Sequence, residues 1–164
     1  MRAAAICVCC ALLLALPSAA VGESVDTSAW ITLNASNAFQ LRAPPGTVYK
    51  SLEGIDSFVA GFDNPQFHIE FDYGPYSNSL AGFGSDPDYK VEDIEIDGRK
   101  ARLITGPGKN AWGCNDLVTA AYVVVSQRDG RWGDTRLEIS GCTKSEASLA
   151  TLHEIFRSIR FTPH

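Results

Sequence analysis

YKVEDIEIDGRKARLIT, residues 89–105, reads as two strands folded back on an Asp97-Gly98 turn. An Asp-Gly pair between alternating runs favours a two-residue hairpin, because that turn needs positive φ at its central positions and these residues tolerate it. Pairing outward from the turn sets Glu95 opposite Lys100 and Asp93 opposite Arg102 on one face, and Ile94 opposite Ala101 on the other. Opposite charges on one face and an apolar pair on the other fix the register of an antiparallel ladder.

The same signal recurs on both sides of this hairpin. In residues 66–73, Phe67, Ile69, Phe71 and Tyr73 alternate with Gln66, His68, Glu70 and Asp72, giving one apolar and one polar face. Residues 117–126 and 134–140 form a second hairpin, joined through Asp129 and Gly130. Its first arm, with Val118, Ala120, Ala121, Tyr122, Val123, Val124 and Val125, is apolar on both faces, which marks an interior strand covered on both sides. One segment is helical: Leu149, Leu152, Ile155, Phe156 and Ile159 recur at spacings of three and four. Thr143-Lys-Ser-Glu146 before it fits a capping box with Thr143 as N-cap. His153 falls beside the apolar stripe, as a boundary residue. The expectation is an α+β fold, a mainly antiparallel β-sheet with a C-terminal helix packed across it.

The first 22 residues read differently. Arg2 precedes an uncharged apolar run over residues 3–16, followed by Pro17 and small residues to Gly22. This is the layout of a cleavable secretory signal peptide, and the run is short of the roughly 20 residues that span a bilayer. Residues 23–29 are a polar lead-in and 30–164 one domain, secreted or periplasmic, with no transmembrane anchor after cleavage. Three of the five cysteines, Cys7, Cys9 and Cys10, leave with the leader. The two that remain, Cys114 and Cys142, pair in an oxidising compartment. The second hairpin brings the residues before 117 and after 140 to one end of the sheet, in agreement with that bond. Closing such a loop stabilises a domain by roughly 3 to 4 kcal/mol.

The ends of the domain resemble a known family. Phe39, Gln40, Leu41, Arg42, Ala43, Pro44, Pro45, Gly46 at the start and Ile155, Phe156, Arg157, Ser158, Ile159, Arg160, Phe161 at the close are similar to the two ends of PsbP-like domains. Thr47 departs from that pattern, which has an aromatic residue after the Pro-Gly turn. The resemblance implies an antiparallel sheet packed with helices, a last helix running into a short strand, and a non-catalytic binding or assembly module; it carries over no functional residues.

The formal net charge of −5 argues against nucleic acid as the main partner. Charge is also uneven: residues 53–97 hold eleven acids against Lys90 alone, residues 98–164 ten bases against six acids. Strands from the two halves can neutralise one another within a sheet. No nucleophile elbow occurs, and Gly106-Pro-Gly-Lys109 is not a phosphate loop, since Leu103 and Asn110 stand at its key positions. Asp86 and Asp88 do not begin an EF-hand, because Lys90 takes the third ligand position.

Two site hypotheses remain. His68, Glu70 and Asp72 share one strand face and supply ligand types suited to a divalent cation; the alternative is a wet polar face. The connection over residues 74–88, rich in glycine and small polar residues, carries Tyr76 and Phe83. With Tyr73 and Trp112 these form a candidate interface; the alternative is that the rings fold back to cap the core. No catalytic residue and no cofactor is assigned. The expected function is an exported non-catalytic module for a protein or surface partner, with a small-ligand or metal binder and a hydrolase-type enzyme as alternatives.

Overall fold

A computed structural model describes residues 24–126 and 133–163. The residues expected to form a signal peptide, 1–22, and the expected Asp129-Gly130 turn lie outside the described residues. Ten strands and one helix follow in order: β1 (Ile31–Ala35), β2 (Phe39–Ala43), β3 (Val48–Ser51), β4 (Phe58–Asn64), β5 (Phe67–Gly74), β6 (Lys90–Ile96), β7 (Arg99–Pro107), β8 (Leu117–Ser126), β9 (Thr135–Thr143), α1 (Glu146–Arg157) and β10 (Arg160–Phe161). Seven strands form one antiparallel sheet in the order β3-β4-β5-β9-β8-β7-β6, and β1-β2-β10 form a small one. This is the expected α+β fold, antiparallel sheet with a C-terminal helix packed against it. The first and last segments of the domain meet in the small sheet, where Arg160 faces Gln40 and Phe161 faces Phe39.

Hairpin β6–β7 has the expected register, with Glu95 opposite Lys100, Ile94 opposite Ala101 and Asp93 opposite Arg102. Asp97 and Gly98 both take the positive φ that a two-residue turn requires, 50° and 74°. Strand β8 is interior, between β9 and β7, and is buried from both sides. Ala121, Val123 and Val125 join the main core with Phe39, Phe62, Ile69, Phe71, Ile139 and the helix residues Leu152, Ile155 and Phe156. Val118 and Ala120 point to the opposite face, into a second cluster with Leu80, Tyr89, Ile104 and Cys114. The small sheet and α1 thus cover one face of the large sheet. Two connections, residues 74–89 and 108–116, partly cover the other.

Helix α1 docks over β8 and β9. Gly141 permits the close approach, since a Cβ there would lie within 2.7 Å of a terminal carbon of Leu152. The helix starts later than the capping box predicts. Its N-cap is Ser145, whose hydroxyl accepts from the Ser148 N–H at 3.2 Å, and Glu146 is the first helical residue. The reason is that β9 runs on through Thr143, which pairs with Phe67 and Leu117 and donates its hydroxyl to the Gln66 carbonyl at 2.9 Å. A residue held extended by two strands cannot also begin a helix.

The Cys114–Cys142 disulfide is present, with Cα atoms 5.7 Å apart. It ties the 108–116 connection to β9. Among the described residues no helix is long and apolar enough to cross a membrane.

Candidate functional site

The face of the large sheet away from α1 is built by alternation. The core-facing set Phe67, Ile69, Phe71 on β5 and Leu137, Ile139 on β9 leaves His68, Glu70, Asp72, Glu138 and Ser140 on the other side. Antiparallel pairing then sets His68 opposite Cys142, Glu70 opposite Ser140, and Asp72 opposite Glu138. On the far side of β5, the β4 partners are Asp63, Gly61 and Val59.

His68, Glu70 and Asp72 do share this face, but they do not converge. The His68 ring lies between two carboxylates, with Nδ1 against Asp63 and Nε2 3.0 Å from Glu70 Oε1. Asp72 takes no part in that bridge and accepts from the Ser77 hydroxyl at 3.2 Å. Among the described residues no group of three or more His, Cys, Asp or Glu side chains is arranged to hold a metal ion. Burial works against the charged imidazole, yet the hydrogen bonds to Glu70 and Asp63 outweigh it and hold its pKa above the usual histidine value. The same contact holds Asp63 below the usual carboxylate range, aided by Lys50 at 3.4 Å. His68 is therefore an ion-pair bridge between β4 and β5. Asp63 was within reach of the sequence: Asn64-Pro-Gln-Phe67 is a two-residue hairpin turn, and counting outward from it pairs 63 with 68.

The four aromatic candidates divide. Phe83 stacks on Trp112, with ring centroids 5.4 Å apart at 15°, and meets Tyr89 edge-on at 4.8 Å. These rings fold back over the second cluster. Tyr73 lies on the opposite face, packed against the main core with its ring 6.3 Å from Phe39. Tyr76 is 73 % exposed. The connection that carries it is not structureless: Leu80, at φ 56°, is fully buried, Ser77 is buried, and Ala81–Ser85 form a 3₁₀ turn.

The residue that sequence reasoning missed is Glu138. It is 92 % buried, being 8 % exposed, and both carboxylate oxygens are occupied. Oε1 accepts from the Trp112 indole N–H at 2.6 Å and Oε2 from the Asn78 backbone N–H at 3.0 Å. One carboxylate thus fastens both covering connections to the sheet. Burial pushes its pKa up; the bonds from Trp112 and Asn78 oppose this incompletely, and Asp72 adds to the rise. The available signal was β8: a strand apolar on both faces requires that its neighbour β9 be covered on both faces too, which buries Glu138.

Beside Glu138, a cavity of about 180 Å³ is lined by Val59, Glu70, Asp72, Trp112, Glu138 and Ser140, with Phe71 at its floor. Among the described residues none of these three carboxylates has a Lys or Arg within ion-pair distance; His68 is the one cation at Glu70. On the other flank of the face, Asp93, Glu95, Lys100, Arg102 and Tyr122 line a broader groove of about 710 Å³. The register sets those charges opposite one another, yet among the described residues they form no ion pair, and the groove lies open to solvent. Asp86 and Asp88 already have a cation, the Lys109 ammonium, so acids of residues 53–97 are in part answered by bases of residues 98–164.

No family model matches the chain, and no curated protein matches it.

Proposed function

We propose that this protein is an exported, non-catalytic binding module that engages a protein or surface partner through the loop-covered face of its large sheet. The observation that carries this is the Glu138 arrangement. A carboxylate buried at a cost in solvation, fastening two connections around an open cavity, does nothing for the main core and is what a binding site requires. Tyr76, exposed on one of those connections, supplies the amphipathic aromatic contact that interfaces favour.

Export to a secreted or periplasmic location is supported by the leader-like residues 1–22 and by the Cys114–Cys142 bond, which forms and persists in oxidising compartments. The resemblance to PsbP-like domains, an assembly or binding class, points the same way. The chemistry on view does not favour a hydrolase. His68 is engaged by two carboxylates, and His153 accepts or donates at Thr105 and Thr119 hydroxyls, 3.1 Å each, on the helix side of the sheet.

The test is site-specific photocrosslinking in cells that export the full chain. A benzophenone side chain at position 76 should give one discrete adduct that excess unlabelled protein suppresses, whereas the same group at the exposed Arg157 on α1 should give none. Equal adducts from both positions, or no adduct from position 76, refutes the proposal.

A further inference from the structure

The cavity beside Glu138 has the chemistry of a receptor for one kind of group. Its walls combine apolar surface from Val59 and the Trp112 indole with oxygens from Glu70, Asp72, Glu138 and Ser140. Ser140 is 5 % exposed, and among the described residues its hydroxyl has no hydrogen-bond partner although it lines the cavity. Among the described residues the Ser140 oxygen is not one of the sealed-off unpartnered atoms, so it is reached through the cavity and is available to an occupant. The carboxylates add a second, separate demand: negative charge around a half-open space with no Lys or Arg within ion-pair distance among the described residues. A volume of about 180 Å³ is below that of pockets for whole drug-sized ligands, which suits the tip of a side chain.

We infer that this cavity receives an alkylammonium group, the end of a lysine side chain presented by the partner. An ammonium has three N–H donors and no acceptor, and beside the oxygens already engaged by His68 at Glu70, Ser77 at Asp72, and Trp112 and Asn78 at Glu138, the site offers the second carboxylate oxygens of Glu70 and Asp72 and the Ser140 hydroxyl. The aliphatic stem would lie against Val59 and the indole, where a cation also gains from the ring face. A bare metal ion suits the site less, because its apolar walls supply no ligand and among the described residues no metal-binding group of side chains is formed. This assignment rests on the binding-module proposal and names the chemistry that the module would recognise.

The test uses the full chain and Nα-acetyl-lysine methylamide as probe, followed through the Trp112 indole N–H resonance. A saturable shift with a Kd of about 1 mM or tighter is expected. The isosteric neutral norleucine amide should not produce it. Glu138→Gln should weaken the probe tenfold or more. Because that change also touches the fastening of two connections, Glu70→Gln, at a 40 % exposed side chain, serves as the second variant and should weaken it severalfold with the fold intact. Equal binding of the norleucine amide, no saturable shift, or displacement of the probe by equimolar calcium or zinc each overturns the assignment. If the probe fails while position 76 still crosslinks a partner, the ligand class falls and the binding module stands; if both fail, both fall.

Discussion

Removing the Cys114–Cys142 bond separates stability from fold most cleanly. The bond closes a segment of 28 residues. In the chain-entropy description, a loop of this size restricts the unfolded ensemble by about 3.6 kcal/mol at 25 °C. For a domain whose total stability is of order 5 to 15 kcal/mol this is a quarter or more, and it converts to a fall in Tm of about 10 °C. The native fold should nevertheless persist. The 108–116 connection keeps other ties, with Gly108 N–H donating to the Asp116 carbonyl at 2.6 Å, Cys114 N–H to Ala111 at 2.8 Å, and Trp112 to Glu138. Replacing both cysteines by alanine, which leaves no polar group in the second cluster, and unfolding both proteins in urea should show a lower midpoint with an m-value that rises slightly, since the unfolded chain is no longer looped. A loss below about 1 kcal/mol, with the far-UV spectrum unchanged, would show that the loop is already closed in the unfolded ensemble and refute the reasoning.

Leu152→Ala should cost about 3 to 4 kcal/mol in the same assay, because the side chain is fully buried against Gly141 and nothing can relax into the space. Ser145→Ala should cost about 1 kcal/mol, whereas Thr143→Ser, which keeps the hydroxyl bond to Gln66, should leave helix capping unchanged; the reverse order would restore Thr143 as the cap. For His68, a folded pKa above the unfolded value of about 6.5 means that its stabilising contribution is fully present below pH 6.5 and is lost as pH rises through the folded value. His68→Gln should therefore destabilise at pH 5.5 and make no difference at pH 9, read as Tm against pH. Glu138, also raised, favours the folded state most below about pH 4.5, and that contribution declines as pH climbs through its folded value. Glu138→Gln should flatten that part of the profile.

How far the sequence reaches can be traced through particular residues. Hairpin β6–β7 was legible to the residue because one Asp-Gly turn and two charge pairs fix the register locally. The disulfide followed from counting cysteines and was supported by the second hairpin. The helix was legible by period, but its start was not, because Thr143 serves a strand and that depends on β5 and β8 lying on either side of it. The site was the least legible part. Alternation correctly put His68, Glu70 and Asp72 on one face, but which side chain each would meet is decided by neighbouring strands: Asp63 from β4 for His68, and Ser77 from the following connection for Asp72. Trp112 and Phe83 come from segments nearly thirty residues apart, and nothing in either segment alone announces that they stack.

Glu138 shows why the two halves of the problem are linked. An interior strand apolar on both faces forces a second cover over the sheet, and a cover made of connections must be fastened to something. The fastening used is a carboxylate, which accepts two N–H groups at once where a serine or an amide oxygen would offer fewer or weaker contacts. That choice leaves a buried charge that two hydrogen bonds do not fully offset, next to Asp72, which makes the imbalance larger. A cation entering the cavity would relieve it. The same side chain that closes the second face therefore gives that face its electrostatic preference, and a substitution there should move loop order and ligand affinity together, while Glu70, which fastens no connection, should move affinity alone.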